Sequence, residues 1–561
     1  MQKLIIAQQV ALGNNMNFKA KESEKKLKGS YYTPDWIANF VARWIKHYDV
    51  QSVLEPSCGD GVFFDEILKE LPDDKLELVG FDIDSDALKS CHRKLPLSNS
   101  KLSLYNQDFL ASTIKYIQTP SSKKYDAVVG NPPFVRYQYL DRAQQKNAQK
   151  IFDLLGMKFT KHTNLWIPFV IASIEFLTPG GVIGMVIPSE ILHVLYAQGL
   201  REYLLSSCSK LLLIDPEDLW FEDTLQGAML LMARKKNNSG DESQVAIIRT
   251  KGKDFACGDP YKLFETAEYI SGKALSKKWT YALLSKEELD AYERVRASNA
   301  MFTFDQLADV DVGIVTGANK FFLVSDAVIQ KYALSEKAHP MFGRSEHCPG
   351  IIYDENQHNE NRLKGYPSNF LYFDSEHDID IYAEYLAIGV AQDIPSRYKC
   401  RIRSPWYKVP SVFTTPVSML KRSNGIPRLI LNRLNAYTTD TAYRITPNAE
   451  IDTATFVVCF LNSVTALSAE LEGRFYGGGV LELVPSEIER LAVPYIAGVG
   501  QNIDVLNSYI RQLDGKMLME MQDIALYSKV SDIDLADIAI LRKALFRLQL
   551  RRQRITSNEH Q

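Results

Sequence analysis

Apolar residues recur at helical spacing near the start of the chain and in short, strand-like runs after it. A helix is predicted over residues 35–48, because Ile37, Phe40, Val41, Trp44 and Ile45 share one helical face. Strands are predicted where short apolar runs end in glycine, proline or acidic residues. These runs cover residues 53–55, 78–84, 104–109, 125–130, 180–188, 211–214 and 227–234. Since helical segments separate the strands up to about residue 235, the pattern indicates a parallel α/β sheet.

Changes in composition divide the chain into five regions. Residues 1–29 are polar and lysine-rich and are predicted to form a flexible arm, whereas residues 500–555 have a helical pattern. Turn residues at 235–240 interrupt the alternation of strands and helices. The predicted regions are the arm at 1–29, a first domain at 30–240, a linker or transition at 241–300, a second domain at 301–500 and a helical C-terminal segment at 501–561.

The tetrapeptide Asn131-Pro132-Pro133-Phe134 comes directly after the apolar run 125–130. Its two prolines fix φ and remove two backbone donors, and Asn131 supplies a side-chain carbonyl. An acceptor-rich pocket with an aromatic floor suits a flat ligand that carries an exocyclic amino group. A plain proline-rich turn after a strand is the alternative, since short motifs produce false positives.

Three further strand ends carry polar residues upstream of this tetrapeptide. The first strand turns through Gly59 and Gly61 into a helix, and glycines allow a ligand to approach the backbone closely. The second strand ends at Asp82, about 20 residues beyond the turn, where an acid commonly binds ribose hydroxyls. Asp108 and Phe109 follow the third strand. Together these residues indicate a nucleotide-like ligand, and the turn is not the GxGxxG of dinucleotide sites.

In their order, these motifs resemble those of the gamma-class, TaqI-like S-adenosylmethionine-dependent DNA adenine-N6 methyltransferases of type II restriction–modification systems. The segment Ser30-Tyr31-Tyr32-Thr33-Pro34 resembles that family's N-terminal cofactor motif. The resemblance covers residues 30–235 closely and extends more loosely to about residue 500. It implies an α/β fold, with a Rossmann-like seven-stranded methyltransferase sheet that has helices on both faces. A C-terminal α+β target-recognition domain ending in helices would follow.

The same resemblance assigns roles to individual residues. Asn131 Oδ1 and the Pro132 carbonyl would accept the two N6 hydrogens of a flipped-out adenine, and Phe134 would stack on the base. Pro133 completes the catalytic tetrapeptide, and Phe221 would pack against the extruded base. The implied S-adenosylmethionine-binding residues are Thr33, Glu55, Ser57, Cys58, Gly59, Asp82, Ile83, Asp108, Phe109 and Phe169.

The net charge of −3 conceals a basic segment at residues 391–448, which contains ten basic and two acidic residues. Aromatic residues lie between the basic ones, a pattern expected of a phosphate-binding face. An ordinary solvated surface is the alternative. The predicted partner is double-stranded DNA, and the predicted contacts are Arg401, Arg403, Trp406 and Arg433.

Other features exclude some classes and leave others open. Seven separated cysteines without a CxxC pair argue against a zinc site and a disulfide framework, so we expect no metal and a reducing cytoplasm. The family resemblance implies that this cytoplasm is bacterial or archaeal. No apolar run is long enough to span a bilayer. We expect a monomer whose cognate restriction endonuclease is encoded separately. The alternatives are an RNA adenine or cytosine-N4 methyltransferase, a protein-glutamine methyltransferase and a non-catalytic DNA-specificity module.

Overall fold

The computed structural model describes most of the chain and divides it into two compact units, residues 1–277 and 278–561. The predicted arm at 1–29, residues 30–32 of the predicted cofactor motif, and Phe221 lie outside the described residues. The described residues are 33–72, 75–95, 101–119, 123–161, 163–217, 220, 227–275, 278–475 and 479–553.

The first unit is a sheet flanked by helices. Its strands are β1 (Ser52–Glu55), β2 (Glu77–Asp82), β3 (Lys101–Asn106), β4 (Tyr125–Gly130), β5 (Leu177–Pro188), β6 (Cys208–Pro216), β7 (Ala228–Lys235), β8 (Gln244–Thr250) and β9 (Ile270–Ser271). Its α-helices are α1 (Asp35–Ile45), α2 (Val62–Glu70), α3 (Ser85–Lys94), α4 (Phe109–Ile117), α5 (Arg142–Leu154), α6 (Trp166–Glu175), α7 (Gln198–Ser207) and α8 (Pro260–Thr266).

The described residues of this unit order the strands as β3-β2-β1-β4-β5-β7-β6-β8-β9. Strands β1 to β5 are parallel, and β7 runs antiparallel between β5 and β6. The strand order reverses between β1 and β4, so right-handed crossovers place helices on both faces of the sheet. The predicted Rossmann-like α/β fold is therefore confirmed.

The sheet continues past the predicted domain end at residue 240. Strand β8 pairs in parallel with β6 and β9 pairs with β8, so two strands extend the expected seven. The prediction of a linker at 241–300 is therefore wrong for this part, because Val245 and Ala246 bury their side chains in the unit. The turn at 238–241 joins two strands of one sheet and does not separate domains.

Helix α1 shows why its sequence pattern predicted a helix. All five residues of its predicted apolar face are buried, and the helix packs closely on β5. A Cβ added at Gly184 of β5 would lie 2.6 Å from Val41 Cγ1, so the missing side chain permits this approach. The helix is thereby fixed directly after Thr33 and Pro34.

The second unit is an α+β arrangement of small sheets and helices. Its strands are β10 (Met301–Thr303), β11 (Ala308–Val312), β12 (Leu323–Val324), β13 (Ala338–Pro340), β14 (Ile352–Tyr353), β15 (Asn369–Leu371), β16 (Val417–Leu420), β17 (Arg422–Ser423), β18 (Leu429–Asn432), β19 (Ala442–Pro447), β20 (Arg474–Phe475), β21 (Leu481–Glu482) and β22 (Ala492–Pro494). Its α-helices are α9 (Lys286–Arg296), α10 (Asn319–Phe322), α11 (Asp326–Lys331), α12 (Glu355–Leu363), α13 (Asp378–Ile381), α14 (Ala383–Ala391), α15 (Tyr398–Arg401), α16 (Thr453–Phe460), α17 (Ser463–Glu472), α18 (Pro485–Ile488), α19 (Ile503–Gln512), α20 (Gly515–Tyr527) and α21 (Leu535–Gln553).

Among the described residues of this unit, the largest sheet has the order β11-β19-β16-β18-β14. The C-terminal helix α21 packs on α17, where the buried Arg552 pairs with the buried Glu470 at 2.9 Å. The C-terminal helical segment is therefore part of the second unit's core. Across the described residues, no single helix is long and apolar enough to cross a membrane; the bent pair α16 and α17 passes that test only jointly, and its apolar residues are buried.

Candidate active site

The candidate site lies at the point where the strand order reverses. Outside the carboxyl ends of β1 and β4, an open α/β sheet has a crevice that commonly binds ligands. Ser57 follows β1 and Asn131 follows β4. The Ser57 hydroxyl donates a hydrogen bond to the main-chain carbonyl oxygen of Asn131 at 3.1 Å. The structure therefore brings the predicted glycine turn and the predicted tetrapeptide together.

The glycine turn has a backbone that other residues would adopt only with strain. Gly59 and Gly61 have φ values of +52° and +84°. A Cβ at Gly59 would meet nothing within 4 Å, whereas one at Gly61 would lie 2.5 Å from Cys91 Sγ. Gly59 thus leaves open space for a ligand beside the backbone, and Gly61 permits close packing of the turn on α3.

Asp82, at the end of β2, is bound to this turn. Its Oδ2 accepts a hydrogen bond from Gly59 N, and its Oδ1 accepts one from Asp84 N, both at 2.8 Å. A carboxylate offers about four acceptor positions, so two remain for ligand hydroxyls. Ile83, the next residue, is 67% exposed.

Glu55 is a buried carboxyl group without a complete set of partners. Only 2% of the residue is exposed, and its buried Oε2 has no hydrogen-bond partner among the described residues. Burial raises the pKa of Glu55 well above its usual range, and the neighbouring Cys91, Asp82 and Asp60 raise it further. A buried, unsatisfied oxygen is costly, so a ligand that brings a cationic donor would fit here.

Asp108 ends the third strand-to-helix turn and caps α4. Its Oδ1 accepts a hydrogen bond from Leu110 N at 2.9 Å, and its Oδ2 accepts one from Asn147 Nδ2 at 2.8 Å. Phe109 is buried beside it and lies 5.5 Å from the ring of Phe169 on α6. The structure thus brings Asp108, Phe109 and Phe169 together, and it adds Asn147.

The remaining predicted site residues that the structure describes differ in their burial. Pro132 is buried, Pro133 is half-buried, and the half-buried Phe134 packs against the first unit's core. Thr33 is buried directly before α1. A hydrogen bond with Cys91 and burial raise the pKa of the Cys58 thiol, which suits packing and not nucleophilic chemistry.

Two hydrogen bonds in this region were not predicted from the sequence. The Ser57 hydroxyl links the glycine turn to the tetrapeptide. Asn147, which lies 39 residues beyond Asp108, donates to the Asp108 carboxylate. The one usable signal was the capping sequence before α5, because it predicts a helix start at Asp141.

The second unit changes the list of predicted DNA contacts. Arg403 donates hydrogen bonds to the carbonyl oxygens of Thr316 and Val315, at 2.8 and 2.6 Å. Arg433 pairs with Asp504 through both terminal nitrogens, and Trp406 packs 5.4 Å from the Phe321 ring. The half-buried side chains of Arg403 and Trp406 therefore contact their own unit, whereas Arg401 and Arg433 are exposed, Arg433 in a surface ion pair with Asp504.

An exposed basic patch remains at residues 397–408. It consists of Arg397, Lys399, Arg401 and Lys408, which are exposed and belong to no ion pair among the described residues. Tyr398 and Ile402, within the same segment, are each 64% exposed. Cations next to exposed apolar and aromatic side chains are typical of a nucleic-acid-binding surface.

The sheet order and the tetrapeptide at its switch point agree with the methyltransferase class that the sequence resembles. The model of the N-6 DNA methylase family matches residues 16–263, and that of the C-terminal domain of the type II methyltransferase M.Eco57I matches residues 276–527. The chain is a type II N6-adenine DNA methyltransferase of a restriction–modification system.

Two curated relatives agree with this assignment in their sequences. The type II methyltransferase M.AccI of Acinetobacter calcoaceticus is 25% identical over 486 residues, covering 84% of this chain and 85% of the relative. M.HindII of Haemophilus influenzae is 24% identical over 388 residues, covering 65% and 68%. Among solved structures, the type IIL restriction-modification enzyme MmeI in complex with DNA aligns with 96% of this chain and 77% of its own, at 13% identity and a TM-score of 0.49.

Replacing Arg403 by alanine should destabilise the protein and not merely weaken DNA binding. The change removes two hydrogen bonds from a charged donor to backbone carbonyls, so the free energy of unfolding should fall by about 1–3 kcal/mol. Urea denaturation measures this difference. Arg401→Ala, which alters an exposed side chain of the same segment, is the control and should leave stability unchanged; equal stability of the two variants would contradict the assigned role.

Proposed function

We propose that the crevice between β1 and β4 transfers a methyl group from S-adenosylmethionine to N6 of an adenine rotated out of double-stranded DNA. The observation that carries this proposal is the hydrogen bond between Ser57 and Asn131, since it joins the cofactor turn to the amine-binding tetrapeptide. Separate pockets for the two reactants would place them too far apart. Adjacent pockets convert a bimolecular reaction into a positioned one.

The tetrapeptide would make the adenine amino group a better nucleophile. An adenine amino group is a poor nucleophile, because its lone pair is delocalised into the ring. Asn131 Oδ1 and the Pro132 carbonyl would accept both N6 hydrogens and favour a pyramidal nitrogen, while Phe134 stacks on the base. The base must leave the duplex to reach such a pocket.

Residues at three strand ends would each bind a different part of S-adenosylmethionine. Glu55 would pair with the positively charged amino group of the methionine part, and Gly59 would border it with open backbone. Asp82 would accept from the ribose hydroxyls, Ile83 would cover one face of the adenine, and Asp108 would accept from the adenine amino group. When bound, S-adenosylmethionine supplies an electrophilic methyl group.

The biological role follows from the family. We infer that methylation at a specific DNA sequence protects it from a separately encoded endonuclease. The order of motifs supports an assignment to the gamma class of DNA adenine-N6 methyltransferases. In that order the cofactor turn precedes the tetrapeptide, and the target-recognition region lies at the C-terminus. An RNA or protein substrate is not favoured, since the second unit matches a domain of type II DNA methyltransferases.

Asn131→Ala should abolish methyl transfer and leave binding of S-adenosylhomocysteine nearly unchanged, because Asn131 acts on the target amino group. Transfer of labelled methyl to duplex DNA and calorimetry of the cofactor product measure the two effects. Gln138→Ala, an exposed change in the segment that follows, is the control. Turnover like that of the wild type in the Asn131 variant would exclude the proposed mechanism.

Cofactor affinity should fall on acidification because of Glu55. Burial raises the pKa of this carboxyl, so it is protonated at a pH where an ordinary carboxyl is ionised, and it must lose the proton to pair with an ammonium group. Affinity should therefore decline as the pH falls through the raised pKa of this carboxyl, by at most about tenfold per pH unit. Calorimetry with S-adenosylhomocysteine should show this slope in the wild type and a flat profile in Glu55→Gln. A slope that persists in the variant would assign the titration to another group.

The exposed basic patch should carry the salt dependence of DNA binding. Each phosphate contact contributes about 0.9 to the slope of log affinity against log salt. Replacing Arg397, Lys399, Arg401 and Lys408 together by glutamine should therefore weaken binding and flatten that slope, as measured by fluorescence anisotropy across salt concentrations.

A variant with the same change of net charge is the control. It replaces four exposed lysines elsewhere in the second unit by glutamine: Lys286, Lys516, Lys529 and Lys543. If both variants lose the same affinity and slope, the patch has no special part in DNA binding.

A further inference from the structure

The polar segment after the tetrapeptide, residues 135–165, returns to the predicted cofactor pocket. Its two ends are joined: Leu165 N donates a hydrogen bond to Val135 O at 2.8 Å, and Arg136 forms an isolated antiparallel β-bridge with Asn164. Helix α5, inside this segment, carries Asn147, whose Nδ2 donates to Asp108 Oδ2 at 2.8 Å. We propose that Asn147 is a positioning residue, which orients the Asp108 carboxylate so that it recognises the amino group of the cofactor adenine.

Helix α5 is held firmly enough for this task. A capping box between Asp141 and Gln144 begins it, and the Gln145 side chain donates to the carbonyls of Tyr137 and Leu140, at 3.0 and 3.2 Å. Farther along the helix, Ala148, Ile151 and Phe152 are buried. A helix fixed at its start and along one face keeps Asn147 at a constant distance from α4.

The hydrogen bonds of Asp108 show how Asn147 acts. One carboxylate oxygen accepts from Leu110 N and the other from Asn147 Nδ2, so two different elements fix the orientation of the carboxylate plane. About two acceptor positions remain, which suffices for an adenine amino group. Without Asn147 only the bond to Leu110 would remain, and the carboxylate could turn about its last side-chain bond.

This inference rests on the proposed S-adenosylmethionine site and makes it specific for adenine. Asn147 also ties the segment that begins at the target-base tetrapeptide to the acceptor of the cofactor base. Recognition of the cofactor therefore depends on a helix that neither the glycine turn nor the strand ends supply.

Calorimetry of the full chain with two ligands tests the inference. S-adenosylhomocysteine has the amino group, whereas S-inosylhomocysteine has a carbonyl in its place. The wild type should prefer the first by roughly tenfold or more, as expected for a hydrogen bond to a charged acceptor. Asn147→Ala should lower this preference to about threefold or less and leave the affinity for the inosine compound almost unchanged. Gln149→Ala, on the exposed side of the same helix, should behave like the wild type.

A second variant separates positioning from folding. Asn147→Asp has almost the same shape, but near pH 8 it places a carboxylate against Asp108 and removes the donor. Two adjacent carboxylates share a proton as the pH falls toward about 5, and the protonated acid donates as the amide did. The preference for S-adenosylhomocysteine over the inosine compound should therefore be lost near pH 8 and return on acidification.

The outcomes distinguish this inference from the proposed function. If the wild type binds neither ligand, the cofactor assignment itself is wrong. If the wild type discriminates and both Asn147 variants discriminate equally well, Asn147 has no positioning role. Tighter binding of S-adenosylhomocysteine by Asn147→Ala would also overturn the inference, since it would mean that Asn147 competes with the adenine amino group.

Discussion

The parallel pairing of β1 with β4 is the constraint on which the site depends. Val53 pairs with Ala127 and Leu54 with Val128, and the strand order reverses between these two strands. The pairing brings Ser57 and Asn131, 74 residues apart in the chain, within 3.1 Å of each other. The glycine turn, Asp82 and Asp108 follow because β2 and β3 extend the same parallel edge. A register shift of one residue in β4 would reverse its side chains and separate the two motifs.

Sequence predicts this part of the molecule well because its signals are local. Buried strands that end in glycine, acid or Asn-Pro-Pro-Phe can be recognised without knowing what they pack against, and all five residues of the apolar face predicted for α1 are buried. The prediction failed where a local signal had two meanings. The turn residues after Lys235 suggested a domain boundary, whereas β8 continues the sheet beyond them. The short apolar run at residues 245–248 was the signal for that strand.

Charge along the chain could not show which cations face solvent. Within the basic segment, Arg403 and Arg444 donate to backbone carbonyls and Arg433 pairs with Asp504. These acceptors come from distant parts of the second unit, so composition cannot reveal them. A dense basic segment contains some cations that bond within their own unit and others that face solvent without such a bond. Only the folded structure distinguishes the two kinds. Asn147 escaped prediction for the same reason, since its partner is set by how α5 packs on α4.

The chemical identity of the methylated product is the most direct test of the central claim. Duplex DNA of mixed sequence is incubated with the full chain and S-adenosylmethionine carrying a labelled methyl group, then digested to nucleosides and analysed by mass spectrometry. The account predicts label only in the N6-methyladenine nucleoside, and none when Asn131 is replaced by alanine. Label in N4-methylcytosine, or in RNA or protein when these are supplied with the DNA, would contradict the assignment of the crevice between β1 and β4 to a flipped adenine.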